Sequence, residues 1–352
     1  YLQSDSNVKK IASYITKKVA ARLEEIAKND PKNFEEKWND IKLFIEYGML
    51  TDEKFCESAM KFALVEDTEG KFFKLEDYRK LIEAAQTDKD GNVVYLYATD
   101  KDKQYSYIKS ATDKGYSVLF MNGQLDVHFI GMLEQKIEKS RFVRVDSDVI
   151  DNIIPSPDKK DADLTAVQRN ILTTVFKSQI PAMDKSEFFI SFEAVSPDAQ
   201  PVVITQSEYM RRMKDMAALQ PGMSFYGELP DSYNLTLNTN HPVVKSILEA
   251  AQSAVGSKVE ELENALNETN AAIKSINDAK KDAKELDEAQ KQQLADNEAK
   301  AADLRKQETD LLTEYAGGQD RVKQLVDIAL LGNGMLKGEA LSKFLQRSIS
   351  LL

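Results

Sequence analysis

Residue types that do chemistry are sparse in this sequence, and their spacing argues against a self-contained active site. The two histidines, His128 and His241, lie far apart. His128 stands between Val127 and Phe129 in a helical stretch and suits a packed or surface role; His241 precedes Pro242 at a helix start, the place of a turn residue. The single cysteine, Cys56, has neither histidine nearby, so a Cys–His nucleophile is not expected, and no zinc spacing occurs. "DKDGN" (88–92) looks like a calcium loop, but with Gly91 at the sixth position the twelfth is Tyr97 rather than Glu, so a turn is expected. "GNGMLKG" (332–338) lacks the spacing of a phosphate loop and reads as a helix–helix turn. The acidic pairs Glu24-Glu25 and Glu35-Glu36 read as solvated helix faces.

Two segments ask for a partner instead. In "SEYMRRMKDMAALQPGMSFYG" (207–227), Tyr209, Met210, Met213 and Met216 fall on one helical stripe, and Met223, Phe225 and Tyr226 follow. Such a stripe is commonly core filler. Here Arg211, Arg212 and Lys214 surround it, and flexible, polarizable methionine beside basic residues suits an adaptable binding surface. The second segment is the tail. Its apolar positions are Val322, Leu325, Val326, Ile328, Ala329 and Leu330, then Leu341, Phe344, Leu345, Ile349 and Leu352. That is more apolar surface than two short helices hide on each other. At ~25 cal/mol per Å², leaving it wet costs several kcal/mol. A two-fold dimer made by these helices is the expected remedy.

The elements that must position these segments follow from periodicity. Ser6 or Asp5 can cap a helix with Val8, Ile11, Ile15, Val19, Leu23 and Ile26 on one face. Pro31 opens a second helix carrying Phe34, Trp38, Ile41 and Ile45 and stopping near Gly48, and Thr51 caps a third. "VVYLYAT" (93–99), "YSVLFM" (116–121) and "RFVRVD" (141–146) alternate with helical stretches, the pattern of a parallel α/β unit. "SPDKKDAD" (156–163) reads as linker. A second domain opens with a helix at Leu164. It contains strands at 187–195 and 233–238, and a capping box at Thr205 and Glu208 before the methionine helix. Residues 257–315 step in heptads through Val259, Leu262, Leu266, Thr269, Ile273 and Ile276, then Leu294, Ala301, Leu304, Leu311 and Tyr315, with a capping box at Asp287 and Gln290 between. This is an antiparallel helical hairpin, each arm about 45 Å long. Lys280, Asn297 and Glu308 thin its seam.

The formal net charge of −11 argues against nucleic acid and against an anionic membrane face. No apolar run approaches the ~20 residues of a spanning helix. One cysteine and no export signal point to a reducing cytoplasm.

"YLQSDSNVKKI", "FIEYGMLTDE", "NVVYLYATDK", "VLFMNGQLDVHFIGMLEQ", the run from "VVITQSEYMRRMKDMAALQPGMSFYG" to "NTNHPVVKSIL", and "LVDIALLGNGM" together resemble a bacterial member of the ninety-kilodalton heat-shock chaperone family, in collinear order over nearly the whole chain. The resemblance implies an α+β / α/β architecture. Residues 1–150 would be the distal middle domain (a helical layer plus a parallel α/β unit), 151–163 a linker, and 164–352 an α+β C-terminal dimerisation domain with 257–316 as an inserted coiled-coil hairpin. It implies an ATPase in the intact protein, with ATP and Mg held by an earlier domain and no cofactor in this stretch. Gln3 would match the glutamine of the loop that reaches the terminal phosphate. The tail, through Val322, Leu325, Val326, Ile328, Ala329, Leu341, Phe344, Leu345 and Ile349, would build the homodimer. Tyr209, Met210, Met213, Met216, Met223 and Phe225 would touch unfolded clients. The family's helix carries a tryptophan near its start, which this one lacks. Co-chaperones are further implied partners; an interaction scaffold with a coiled-coil arm and no ATP cycle is the rival reading.

Overall fold

The structure is a computed structural model that describes residues 6–155, 161–219, 229–282 and 287–350. The chain divides into two compact units, one formed by Tyr1–Pro157 with Gln206–Leu229, the other by Asp158–Thr205 with Pro230–Leu352.

The first unit begins with a helical layer: α1 (Ser6–Asn29), α2 (Pro31–Thr51) and α3 (Glu53–Ala59). Asp30 caps α2 by accepting from the Asn33 amide, and Pro31 occupies the first turn, where no amide donor is missed. α2 runs past Gly48 to Thr51, so Thr51 caps nothing: its hydroxyl donates back to the Tyr47 carbonyl. Asp52 has the extended backbone a cap needs, and its carboxylate accepts from Phe55 N at 2.9 Å. Trp38 and Phe34 pack at 5.8 Å between ring centroids, and both are buried. On α1, Ala20 and Ala27 are buried and Leu23 and Ile26 pack against the core, whereas Val8, Ile11, Ile15 and Val19 are exposed in this chain.

A short antiparallel pair, β1 (Leu64–Glu66) and β2 (Phe72–Lys74), follows. Its loop closes when Asp67 Oδ1 accepts from the Glu69 and Lys71 amides and Gly70 takes φ +84. "DKDGN" makes the same turn: Asp88 Oδ1 accepts from the Asp90 and Asn92 amides, with Gly91 at φ +79. α4 (Leu75–Ile82) leads into β3 (Val93–Ala98), α5 (Tyr105–Thr112), β4 (Val118–Phe120), α6 (Asp126–Lys136) and β5 (Ser140–Arg144). The three strands are parallel in the order β4-β3-β5, and every residue of β3 is buried, as a sheet covered on both faces requires. α7 (Ile150–Ile153) buries Ile153 beside β3 and β5 residues, so the stretch expected to open a linker is folded.

In the second unit, α8 (Ala166–Lys177) opens with a capping box between Thr165 and Gln168. β6 (Ser186–Glu193) and β7 (Val202–Gln206) precede α9 (Glu208–Leu219), and β8 (Asp231–Asn238) follows it. The sheet order is β6-β8-β7, with β6 and β8 parallel in register from Ser186–Asp231 to Glu193–Asn238. α10 (Pro242–Ala251) is capped by His241, whose Nδ1 accepts from the Val243 amide. A π-helical turn, Gln252–Gly256, carries α10 into α11 (Ser257–Asp282), which pairs with α12 (Glu288–Gly317); then come α13 (Asp320–Gly332) and α14 (Gly338–Ser350). The Asp287–Gln290 capping box is present. On the α11–α12 seam Val259, Leu262, Thr269, Ala301 and Glu308 are buried, and Lys280 lies outside the described side chains. Val259, Leu312 and Ala316, at the base of the hairpin, belong to the second unit's core.

Candidate functional site

The methionine helix, α9, belongs to the first unit although its neighbours in sequence, β7 and β8, lie mainly in the second. The expected Thr205–Glu208 capping box does not form. Thr205 ends up buried in β7 with its hydroxyl unpartnered among the described residues. The Glu208 carboxylate is drawn to stronger donors. Oε1 accepts from Tyr97 Oη at 2.8 Å, Arg211 Nη2 at 2.7 Å and Arg212 Nε at 2.6 Å, while Oε2 accepts from the Arg144 amide at 3.1 Å.

Arg211 and Arg212 therefore face inward and do not flank an open methionine surface. Arg211 is only 6% exposed. Its Nη1 donates to Asp215 at 2.8 Å and its Nη2 to Tyr97 Oη at 2.5 Å. Arg212 reaches across to Glu134 of α6 at 2.8 Å and to the Phe142 carbonyl of β5 at 2.5 Å. Burial alone would raise the Glu208 carboxyl. The two guanidinium charges and their hydrogen bonds outweigh it and hold the group below the usual carboxylate range. Burial, reinforced by the Glu208 charge, pushes the Tyr97 phenol up, so it stays a donor. With the charges turned in, Tyr209 is left 66% exposed, while Met210, Met213 and Met216 are half-buried.

The tail helices divide the expected apolar residues into two sets. Val322, Val326, Ala329, Leu330 and Phe344 are buried in the second unit's core, with Leu325 and Leu341 packed against it. Ile328 and Leu331 on α13, and Leu345 and Ile349 on α14, are exposed, Ile349 by 72%. Steps of three and four residues put each of these two pairs on one outward stripe of its helix. A polar clasp locks the helices together: buried Asp327 accepts from Lys323 Nζ at 2.8 Å and Arg347 Nη2 at 2.5 Å, Arg347 Nε donates to Gln324 Oε1, and Gln324 Nε2 donates to Ser348 Oγ. The glycine-rich turn between them holds Gly334 at φ +66 and Gly338 at φ +58, values that only glycine adopts without strain.

Gln3, Met223 and Phe225 lie outside the described residues. Cys56 is buried beside Met132, and burial pushes its thiol up, away from reactivity. Among the described residues no group of three or more side chains could hold a metal ion, and no helix is long and apolar enough to cross a membrane. Sequence reasoning missed Glu208, Arg212 and Glu134 as the anchors of α9 and Leu331 as part of the outward tail stripe. The available signal was the spacing of Glu208 to Arg211 and Arg212, and of Ile328 to Leu331.

Comparison with known proteins covers the whole chain. The family model for Hsp90 protein matches residues 1–319. The chain is 53% identical over 354 residues to the chaperone protein HtpG of Bacteroides thetaiotaomicron, and 51% identical over 354 residues to that of Porphyromonas gingivalis; in each case all of this chain aligns with 52% of the relative. A more distant HtpG, from Wigglesworthia glossinidia brevipalpis, is 25% identical over 255 residues, covering 70% of this chain and 38% of the relative. The chain spans about half the length of the curated relatives it matches most fully, and their alignments run through the α11–α12 hairpin. On this evidence the chain belongs to the Hsp90 protein family.

Proposed function

We propose that this chain is the distal middle and C-terminal portion of an ATP-dependent molecular chaperone that works in the cytoplasm as a homodimer, binding and remodelling partly folded proteins. The observation that carries the reading is the chain-long similarity to proteins named as chaperones. The outward stripe of Ile328, Leu331, Leu345 and Ile349 supports the dimer: two helices already packed on their own unit still present large apolar side chains to water, and a second copy related by a two-fold axis would cover them.

In this reading the C-terminal helices keep two protomers at high effective concentration, so that distant parts of the two chains meet as if joined. ATP and Mg bind in the portion of the relatives that this chain does not span, and Gln3 contributes a side-chain amide that can donate to a phosphate oxygen. Clients contact Tyr209 and the methionines of α9, with Met223 and Phe225 beyond it, and co-chaperones are further partners. Sedimentation of this chain at micromolar concentration tests the dimer. A two-protomer species is expected, and Ile328→Asp with Ile349→Asp should give a folded monomer. A wild-type chain that sediments as a monomer refutes the assembly. A dimer indifferent to both substitutions moves the interface elsewhere. Failure of the chain to delay aggregation of an unfolding test protein would remove the client role.

A further inference from the structure

A sheet edge is a row of unpaired backbone donors and acceptors, and folded proteins ordinarily shorten, charge, kink or cover it. The first unit covers its edges. Beyond β5, the Phe142 amide donates to Glu134 at 2.7 Å, the Phe142 carbonyl accepts from Arg212, and the Arg144 amide donates to Glu208. Beyond β4, the Thr68 amide donates to the Val118 carbonyl at 2.8 Å. In the second unit, β7 is an edge of only five residues, and Val202, Ile204 and Thr205 in it are buried.

β6, the opposite edge, has none of these protections. It pairs with β8 alone, through eight consecutive residues without a bulge, and it contains no proline or lysine. Every second N–H and C=O along it points away from β8, and no described residue outside the sheet hydrogen-bonds to the backbone from Glu187 to Phe192. Only Phe188 is buried in the strand; Glu187 and Phe189 are exposed, Phe189 by 51%. Ile190 and Phe192 share the face of Phe188 and pack against the second unit's core, yet with no strand beyond them they stay half-buried. A segment laid along β6 would take up the open ladder, cover Ile190 and Phe192 with every second side chain, and meet Phe189 with the alternate ones. β6 carries Glu187 and Glu193 and no basic residue, and like charges opposed across strands repel, so a segment with Lys or Arg at its ends fits where an acidic one does not.

We infer that the free edge of β6 takes an extended, apolar segment with basic ends as a fourth strand of the β6-β8-β7 sheet. That the segment comes from a partly folded protein rests on the chaperone reading above; the strand conformation and the charge follow from the edge itself. The probe is the peptide KTVTFTVK, fluorescein-labelled and titrated with this chain by fluorescence anisotropy. Two controls accompany it: the same peptide with its backbone amides N-methylated, which keeps the side chains and removes the ladder donors, and the glutamate-ended ETVTFTVE. Saturation with a Kd of about 100 μM is expected for the first, with both controls at least about tenfold weaker. Amide hydrogen exchange over 187–192 should slow when the peptide is added. Phe189→Lys, at an exposed site, should leave the fold intact and weaken binding about tenfold. No saturation to about 2 mM, equal binding of either control, or exchange that slows elsewhere but not over 187–192 would each overturn the assignment. Slowing over 187–192 that follows the concentration of the chain alone would give the edge to a second copy and overturn it as well. Peptide capture without delayed aggregation of a test protein leaves the edge site standing and removes the chaperone role; delayed aggregation without peptide capture does the reverse.

Discussion

Replacing Glu46 by glutamine should stabilise the first unit at alkaline pH and leave it almost unchanged in acid. Glu46 lies on α2 and is 2% exposed. Its nearest countercharge, Lys42 Nζ, is 3.6 Å away and is shared with Asp126 at 3.5 Å. Burial raises the Glu46 carboxyl from 4.5 to about 7; the Lys42 charge opposes the rise and the Asp126 charge adds to it. The folded state thus binds the Glu46 proton more tightly than the unfolded chain does. Below about pH 4.5 both states are protonated and nothing is lost. Between 4.5 and 7 the unfolded chain ionises while the folded one does not, and stability falls by about 1.4 kcal/mol per pH unit. Above pH 7 the loss is complete, about 3 kcal/mol. Glutamine keeps the shape and the neutral charge of the protonated acid, so the difference between variant and wild type removes the Glu46 proton while Asp126, which burial also raises, stays in both. Trp38, the only tryptophan, is buried in α2, and its fluorescence reports unfolding of this unit alone. Urea titrations at pH 5, 6, 7 and 8 should show the Glu46→Gln variant gaining stability progressively over wild type. A difference that is the same at every pH, or a variant less stable at pH 8, refutes the reasoning.

Glu208→Ala leaves buried Arg211 and half-buried Arg212 with one fewer carboxylate and should cost about 3 kcal/mol, seen as faster hydrogen exchange throughout α9. Phe344→Ala should lower the stability of the second unit by about 3–5 kcal/mol in denaturant titration, whereas Ile349→Ala, at an exposed site, should change the monomer by less than about 0.5 kcal/mol. Burial and the neighbouring Glu263 charge raise the Glu308 carboxyl, which receives a hydrogen bond from Asn170; the second unit should therefore gain stability as pH falls through the carboxylate range, and Glu308→Gln should flatten that gain in thermal melts. Deleting 258–316 should unfold the second unit, because Val259, Leu312 and Ala316 go with it. A shorter cut joining 269 to 302 should leave the circular dichroism melt cooperative.

The parallel unit was legible because β3 and β4 are apolar runs, β5 carries the apolar pair Phe142-Val143, and helical stretches alternate with all three. β1 and β2 escaped notice because three residues carry no period. β7 was overlooked because Thr205 and Glu208 have the types and spacing of a helix cap; Arg211 and Arg212 stand at helical spacing from Glu208, but the Tyr97 and Glu134 partners that turn this cluster inward are distant in sequence. The hairpin was readable from its heptads, which put Val259, Leu262, Thr269, Ala301 and Glu308 on a buried seam, although the second arm buries Leu312 and Ala316 where the heptads place Leu311 and Tyr315. What the heptads do not mark is where the arm stops and the core begins, so Val259 and Leu312 read as arm while packing as core. In the tail, helical periodicity showed that both helices carry surplus apolar residues. It did not show which stripe faces in, because Val326 and Ile328 are equally apolar and differ only in what their own unit brings against them.

The anchoring of α9 follows the same distinction between pattern and placement. A helix with methionines on one stripe and arginines beside them is ordinarily expected to turn its methionines inward and wave its charges in water. Here the charges are the buried part. Desolvated ion pairs contribute little net stability compared with well-packed apolar contacts, but they admit few alternative geometries. Glu208, bound at once by Tyr97, Arg211, Arg212 and the Arg144 amide, fixes the register of α9 to within one hydrogen-bond length. The helix is thus accurately placed without being strongly held, and its apolar stripe is not locked into a core. In the proposed client-binding role, that combination would let Tyr209, which is exposed, and the half-buried methionines repack against a partner without disturbing the anchor of the helix.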